Sequence, residues 1–407
     1  MIAARKHDVI VVGGGPGGST CAATLARAGL SVLVLERERF PRFKIGESLL
    51  PFNFDVFDAI GLPRAFFEAK GFVKKKRAEF LDAATGEEKT FDFARGLDDR
   101  HPFAFQVERA PFDALLLEHA RAQGAEVREE CPVAKVEPLD DGVRVETAGG
   151  ESHAARFLVD ASGQATLLGR HAGKAPNPGL DRAAVFAQWF DVKKDPGLRD
   201  GNIRIIVDGL GWFWLIPLAD RLSCGAVVPP DEARGREKET VLAERIGRCP
   251  HVQALLATGE RKVEVRAIAS WSYGVKEVAS DRHVCIGDAL GFVDPIFSTG
   301  VHLACTAADR SADVILAAFR EGRSPRKTEF QGFAAHMDRA HEIVNRLVLA
   351  FYEGGLVRNI FFNEDPEERI ERGITSLLAG DFWNDENPFI RMLRSSRRGR
   401  DRQSIGA

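Results

Sequence analysis

The chain has 407 residues, 44% of them hydrophobic, and a formal net charge of −3, enough to bury a large core and too little net charge to attract nucleic acid or an anionic membrane. Its six cysteines (Cys21, Cys131, Cys224, Cys249, Cys285, Cys305) show no CxxC spacing, which argues for reduced thiols and against a disulfide framework or a metal centre. No apolar run reaches the roughly 18 residues of a membrane span, and a strand begins too early to leave room for a signal peptide, so a soluble, cytoplasmic protein is expected.

Val9 to Val12 are β-branched and apolar and read as a buried strand. Gly13, Gly15 and Gly18 follow as GxGxxG, glycines that permit a tight turn, close approach of backbone to a pyrophosphate, and close helix–strand packing. Ser19 to Ala28 read as a helix whose N-terminus offers free N–H groups and the positive dipole end to phosphate. Ser31 to Leu35 read as a second strand, and Glu36 ends it where a ribose hydroxyl would meet a carboxylate. A lone GxGxxG is weak; strand, helix, strand and acid in this order make dinucleotide binding specific.

A polar turn leads to Phe43 to Pro51, then to a short helix from Phe54 to Ile60 ended by Gly61. Phe72 to Phe80, Glu88 to Phe93 and Phe103 to Val107 are strand-like. Pro111 to Gln123 form an amphipathic helix, with Phe112, Leu115, Leu116 and Ala120 in one stripe and Gly124 closing it. Strands follow at Glu126 to Arg128, Ala134 to Pro138 and Val143 to Thr147, with Asp141-Gly142 as a hairpin turn. Phe157 to Asp160 form another buried strand, before Ala161-Ser162-Gly163.

Short strand patterns then recur at Val185 to Phe190, Ile203 to Val207, Trp212 to Pro217, Cys224 to Val228 and Val263 to Ser270, interrupted by a helix at Glu239 to Arg248. They read as a second sheet inserted into the first domain. Val284 to Asp288 return to the first sheet, and everything from Gly300 reads helical. The tail from Arg391 to Arg402 is basic and reads as a solvated end. The expected organisation is a discontinuous nucleotide-binding domain (1–70, 101–182 and 273–330), a substrate-side β-sheet domain (71–100 and 183–272) and a C-terminal helical region (331–407).

GxGxxG, Asp160-Ala161-Ser162-Gly163 and Gly287-Asp288, in that order, resemble the three flavin-contact motifs of glutathione-reductase-like FAD monooxygenases. The resemblance implies an α/β fold: a Rossmann-like FAD-binding domain of the glutathione-reductase/p-hydroxybenzoate hydroxylase type, an inserted mixed β-sheet domain, and C-terminal helices. It implies that Asp288 holds the ribityl or pyrophosphate part of FAD and that Arg109 is the flavin-side arginine. Taken alone, Asp288 reads equally as a helix cap and Arg109 as a surface ion pair.

Within that superfamily the chain resembles the flavin-dependent halogenases of natural-product pathways, over residues 7 to about 350. Gly211 to Pro217 (GWFWLIP) resemble their WxWxIP, and Phe292 to Gly300 (FVDPIFSTG) their FxxPxxSxG. Gly46 to Pro51 (GESLLP) look like the flavin-side segment of phenol and carrier-bound-substrate halogenases, and Gly71 to Phe80 like the strand carrying the essential lysine.

Trp212 and Trp214 are two apart on a strand, so both rings project from one face and would wall the flavin off from substrate; core packing is the alternative. Ser298-Thr299-Gly300 precede an apolar helix beginning near Val301, whose unpaired N–H groups suit a halide or the flavin pyrimidine oxygen, or else form an ordinary N-cap. Strand alternation sets Lys74 and Lys76 on one face and Lys75 on the other without deciding which is inward. The family pattern singles out Lys75, although Arg77 stands where relatives commonly carry glycine. A lysine among apolar groups loses its proton more easily, or donates a hydrogen bond to hypohalous acid; a solvated basic patch is the alternative.

The resemblance implies an FADH2-dependent halogenase supplied by a separate flavin reductase, there being no second fingerprint for NAD(P)H. Chloride or bromide near Ser298, Thr299 and Gly300 would be oxidised to hypohalous acid, and Lys75 would direct it to an electron-rich aromatic, phenol- or pyrrole-like, free or carrier-bound. Ser48, Asp160, Gly163, Pro295 and Gly300 are further cofactor contacts it implies, and Glu47 a proton-handling partner. An aromatic hydroxylase or isoprenoid reductase of the same superfamily is the alternative; a non-enzymatic flavin sensor leaves the two tryptophans unexplained.

Overall fold

The computed structural model describes residues 6–169, 173–193, 196–209, 211–355, 360–363 and 367–395. A seven-stranded sheet carries the nucleotide motif, in the order Glu126–Arg128, Val32–Leu35, Lys6–Val12, Ser152–Asp160, Gly142–Thr147, Val133–Leu139. The first four are mutually parallel, and the last two add antiparallel strands at the far side. Ser152–Asp160 is forked: its first half pairs with Gly142–Thr147, its second half with His283–Cys285. Val9, Ile10 and Val11 are all fully buried, as an apolar run covered on both faces requires.

The helices Pro16–Arg27, Arg109–Ala122 and Thr299–Arg320 pack together against this sheet. The second sheet has eight strands, in the order Glu260–Arg261, Ala183–Phe190, Arg221–Val228, Gly211–Pro217, Ile203–Asp208, Arg77–Asp82, Glu88–Asp92, with Arg266–Ala269 also on Ala183–Phe190. Its pairings are antiparallel except for Ile203–Asp208 with Arg77–Asp82, so the sheet is mixed. Alternation divides Gly211–Pro217 between two cores: Trp212, Trp214 and Ile216 join the core shared with the first sheet, while Phe213 and Leu215 meet the helices Lys238–Arg248 and Pro250–Leu256.

Several expected elements change. The single strand from Phe72 to Phe80 is two strands: Val73–Lys75 pairs with Ala104–Gln106, and Arg77–Asp82 joins the large sheet. Lys76 is the break, where the Arg77 N–H donates to Asn202 Oδ1 and the Lys76 carbonyl accepts from Phe93. The helix expected at Pro111 begins at Arg109, because a first-turn proline lacks only an N–H that would have no intrahelical partner. The strand from Val263 to Ser270 shortens to Arg266–Ala269, and the helix Pro250–Leu256 was not anticipated.

After the long helix Thr299–Arg320 come Gln331–Tyr352, Glu368–Ala379 and Pro388–Ser395. Of the basic tail, residues 396–402 lie outside the described residues. Among the described residues no helix is long and apolar enough to cross a membrane, and no cysteine is in a disulfide.

Candidate active site

The C-terminal ends of the parallel strands open into a cavity of about 770 Å³, running between the first sheet and the second. At its first end the three glycines divide their work. Gly13 has φ +104°, and a side chain there would strike the Ala161 carbonyl; one at Gly18 would strike the Gly13 carbonyl. Those two glycines make the turn and the helix–strand contact. Gly15 is different: a Cβ there would meet nothing closer than Arg42 Nη2 at 3.9 Å and would project into the cavity. The free space is therefore kept where a pyrophosphate would approach the backbone.

Glu36 is buried at the end of its strand, and its carboxylate is already engaged: Oε2 accepts from the Gly14 N–H (2.6 Å) and Oε1 from the Glu38 N–H (2.9 Å). It braces the glycine turn from below while lining the cavity. Arg109 is buried too, not a surface ion pair. Its Nε and Nη2 grip Asp113 (2.8 and 2.9 Å), and Nη1 donates to the Ile45 carbonyl (2.7 Å). Arg42 shares the same carboxylate through Nη1 at 2.6 Å. Lys44 and Asp288 also line this end; burial pushes the Lys44 ammonium down and the Asp288 carboxyl up, each opposed by the other's charge.

Toward the second sheet the lining becomes apolar and aromatic: Phe186, Ile203, Trp212, Trp214 and Ile216. The two indoles are on one face as alternation requires, with ring centroids 5.9 Å apart. Trp214 Nε1 donates to Ser223 Oγ (3.2 Å) and Trp212 Nε1 to Tyr352 Oη (3.0 Å). Pro295, Ser298 and Gly300 close the same region. Ser298 stands at the N-cap of Thr299–Arg320 in a left-handed conformation (φ 59°) without a side-chain cap bond, so the ordinary Ser/Thr cap is not what is built. Thr299 is buried and does not line the cavity.

Glu47 and Ser48 sit on the wall between these regions. Glu47 Oε1 accepts from Gln188 Nε2 (2.8 Å), and burial pushes its carboxyl up to about 7 against the pull of Ser223 and Gln188. Behind Ser48 lies Lys75. Only 1% of its surface is exposed; its Nζ donates to Ser48 Oγ and to the Leu49 carbonyl, both at 2.9 Å, and lies 5.3 Å from the Phe93 ring centroid. Burial alone lowers its pKa to about 7. Lys74, by contrast, is partly exposed and paired with Glu68 (2.8 Å), and Lys76 is exposed.

Gly13, Gly15, Glu36, Glu47, Ser48, Arg109, Gly163, Trp212, Trp214, Asp288, Pro295, Ser298 and Gly300 thus converge on one cavity. Gly18, Asp160, Thr299 and Lys75 stand behind its wall. The Asp160 carboxylate accepts from the Ser162 N–H (3.0 Å) and the Leu168 N–H (2.8 Å), fixing the loop that carries Gly163. Arg42, Lys44 and Tyr352 were missed. The first two belong to a charged turn that periodicity does not describe, and Tyr352 acts from about 140 residues beyond its partner.

The donor set fits a flavin dinucleotide: cations and an open glycine at one end, a flat aromatic wall at the other, in a cavity at the upper end of the usual ligand range. The tryptophan halogenase family model matches residues 8–101 and 92–378. A 1H-pyrrole-2-carbonyl-[peptidyl-carrier protein] chlorinase of Pseudomonas fluorescens is 32% identical over 413 residues, 93% of this chain and 90% of its own. Among solved structures, the myxobacterial chondrochloren halogenase CndH, an FAD-dependent halogenase, is 34% identical at a TM-score of 0.79, covering 97% of this chain and 95% of its own. A flavoprotein/dehydrogenase from Cytophaga hutchinsonii superposes with a TM-score of 0.87 at 29% identity, over 95% and 96%.

Proposed function

The chain belongs to the tryptophan halogenase family, and from that premise we propose that it halogenates an electron-rich aromatic, phenol- or pyrrole-like and free or carrier-bound, with Lys75 directing the halogen. It is an enzyme, a flavin-dependent halogenase, and FAD is its cofactor. When bound and reduced by a separate flavin reductase, FAD supplies the oxidising power of O2 that turns chloride or bromide into hypohalous acid.

The chain's own residues do the rest. Gly15 leaves room for the pyrophosphate, with Arg42, Lys44 and the helix N-terminus at Pro16 to meet its charge. Glu36 would add the ribose contact, and Arg109 and Asp288 would hold the middle of the cofactor. Trp212 and Trp214 close the far end and exclude a bulky substrate. Ser298 and Gly300, with the backbone N–H groups that open Thr299–Arg320, would hold the halide.

Glu47, with a carboxyl near 7, would keep a proton on the cavity side at neutral pH and release it on demand. Lys75 is the observation that carries the reading. A hydroxylase has no need of an amine buried behind the cavity wall, held by two neutral oxygens and poised near neutrality.

The test is halide exchange. With FAD, a generic flavin reductase, NADH and O2, a phenol probe should gain chlorine or bromine according to the salt supplied, read from the isotope pattern. A thioether trap should detect hypohalous acid if the native substrate is carrier-bound. Hydroxylated probe in halide-free buffer, with no halide-dependent trap signal, would return the chain to the hydroxylase alternative.

A further inference from the structure

The two cavity tryptophans are anchored differently. Trp214 finds its acceptor, Ser223, on the neighbouring strand of its own sheet. Trp212 finds its acceptor on Tyr352, the last residue of the helix Gln331–Tyr352. The Tyr352 hydroxyl then donates to Asp294 Oδ2 at 3.1 Å. Asp294 is fully buried, its Oδ1 accepts from the Ile296 N–H (3.0 Å), and it immediately precedes the cavity-lining Pro295. The Arg182 guanidinium covers the phenol ring, 4.0 Å from its centroid.

One hydroxyl thus joins the aromatic strand, the helix Gln331–Tyr352 and the loop before Ser298. A buried indole N–H with a single acceptor takes its ring orientation from that acceptor. We propose that Tyr352 is a positioning residue for Trp212, fixing the angle at which the indole faces the FAD cavity through the chain Trp212–Tyr352–Asp294. The inference rests on the reading of this cavity as the FAD site. It assigns the helix Gln331–Tyr352 a part in the cavity wall although, of that helix's residues, none lines the cavity.

The chain holds five tryptophans and two tyrosines, so the test can be resolved spectroscopically. In full-length protein labelled with 5-fluorotryptophan, the Trp212 fluorine resonance is assigned by its loss in Trp212→Phe. Tyr352→Phe keeps the ring under Arg182 and removes only the hydroxyl. The expected result is a shift or broadening of the Trp212 line, with the lines of Trp189 and Trp383, which touch neither Tyr352 nor Asp294, unmoved and FAD binding retained in a flavin-fluorescence titration. Should Tyr352→Phe fail to fold, 3-fluorotyrosine in a Tyr273→Phe background keeps the hydroxyl but alters its hydrogen bonding, and must move the same line. An unmoved Trp212 line in whichever of these samples folds overturns the proposal. The readout needs neither halide nor product, so it fails independently of the halogenase reading.

Discussion

At the glycine-turn end of the cavity Arg42 and Arg109 share the buried carboxylate of Asp113, and Arg109 also donates to the Ile45 carbonyl. Burial works against the Arg109 charge, but Asp113 outweighs it and the guanidinium is held above its ordinary range. Behind Ser48 the same kind of charge is treated in the opposite way: Lys75 meets two neutral oxygens and an aromatic face, and burial carries its pKa down to about 7. The difference lies in the counter-charge. A cation paired with a buried carboxylate is kept charged, whereas one buried without a counter-charge gives up its proton more easily.

The largest effect that would break this comparison is on turnover. Lys75→Ala is expected to lower halogenation at least a thousandfold, about 4 kcal/mol of barrier, with FAD binding and reduced-flavin oxidation intact. Lys74→Ala, which removes a partly exposed ion pair with Glu68 and a contact with the Phe103 ring, should leave the rate nearly unchanged. Equal losses in the two variants would end the assignment.

Asp113→Ala should cost about 3 kcal/mol of stability, because the buried Arg109 and the part-buried Arg42 lose one shared partner. Thermal melts should show it together with weakened FAD binding. A variant as stable as the parent would mean that Arg42 and Arg109 find other partners.

The pH dependence of stability sharpens the contrast further. Between about 7 and the ordinary 10.5 of a lysine, the unfolded chain binds a proton that the folded chain does not. Stability should therefore rise with pH across that window, by at most about 1.4 kcal/mol per unit, and the penalty should be complete below 7. Lys75→Met should remove this slope; denaturant melts with an unaltered slope would show that Lys75 stays charged.

The smallest effect separates the glycines. Gly15→Val should weaken FAD about tenfold with little change in melting temperature, since its side chain enters the cavity. Gly18→Ala should destabilise the fold itself, because its Cβ strikes the Gly13 carbonyl. If Gly15→Val melted early and bound FAD normally, the roles of the two glycines would be exchanged.

How much of this was legible follows from how local each feature is. The nucleotide motif was readable because its strand, turn, helix and acid are consecutive, and Glu36 closes back onto Gly14 only 22 residues away. The shared face of Trp212 and Trp214 was readable from alternation alone. Lys75 could be chosen over its neighbours only by resemblance. Alternation along one strand from Phe72 to Phe80 does not say which face is inward, and that strand in fact breaks at Lys76 between two sheets. The burial that selects Lys75 comes from Ser48, Leu49 and Phe93, none of them within fifteen residues of it. Thr299 was expected at the halide and lies behind the wall, because helix phase, not motif membership, decides which residue of Ser298-Thr299-Gly300 looks outward.

The fork in Ser152–Asp160 has a consequence for the order in which the protein comes into being. Its second half, paired on one side with Lys6–Val12, gains its other neighbour only with His283–Cys285, and the helix Pro16–Arg27, flanked by Arg109–Ala122, is fully covered only once Thr299–Arg320 arrives. During synthesis, then, the glycine turn is made first and housed last, waiting for nearly three hundred residues with an apolar strand edge exposed. Contacts of such long range close slowly and leave the nascent chain open to aggregation. The cavity is lined from both sides of that interval, so a cofactor bound in it would stabilise only a nearly completed chain. Recombinant yield should therefore depend on protecting the emerging chain more than on supplying the cofactor.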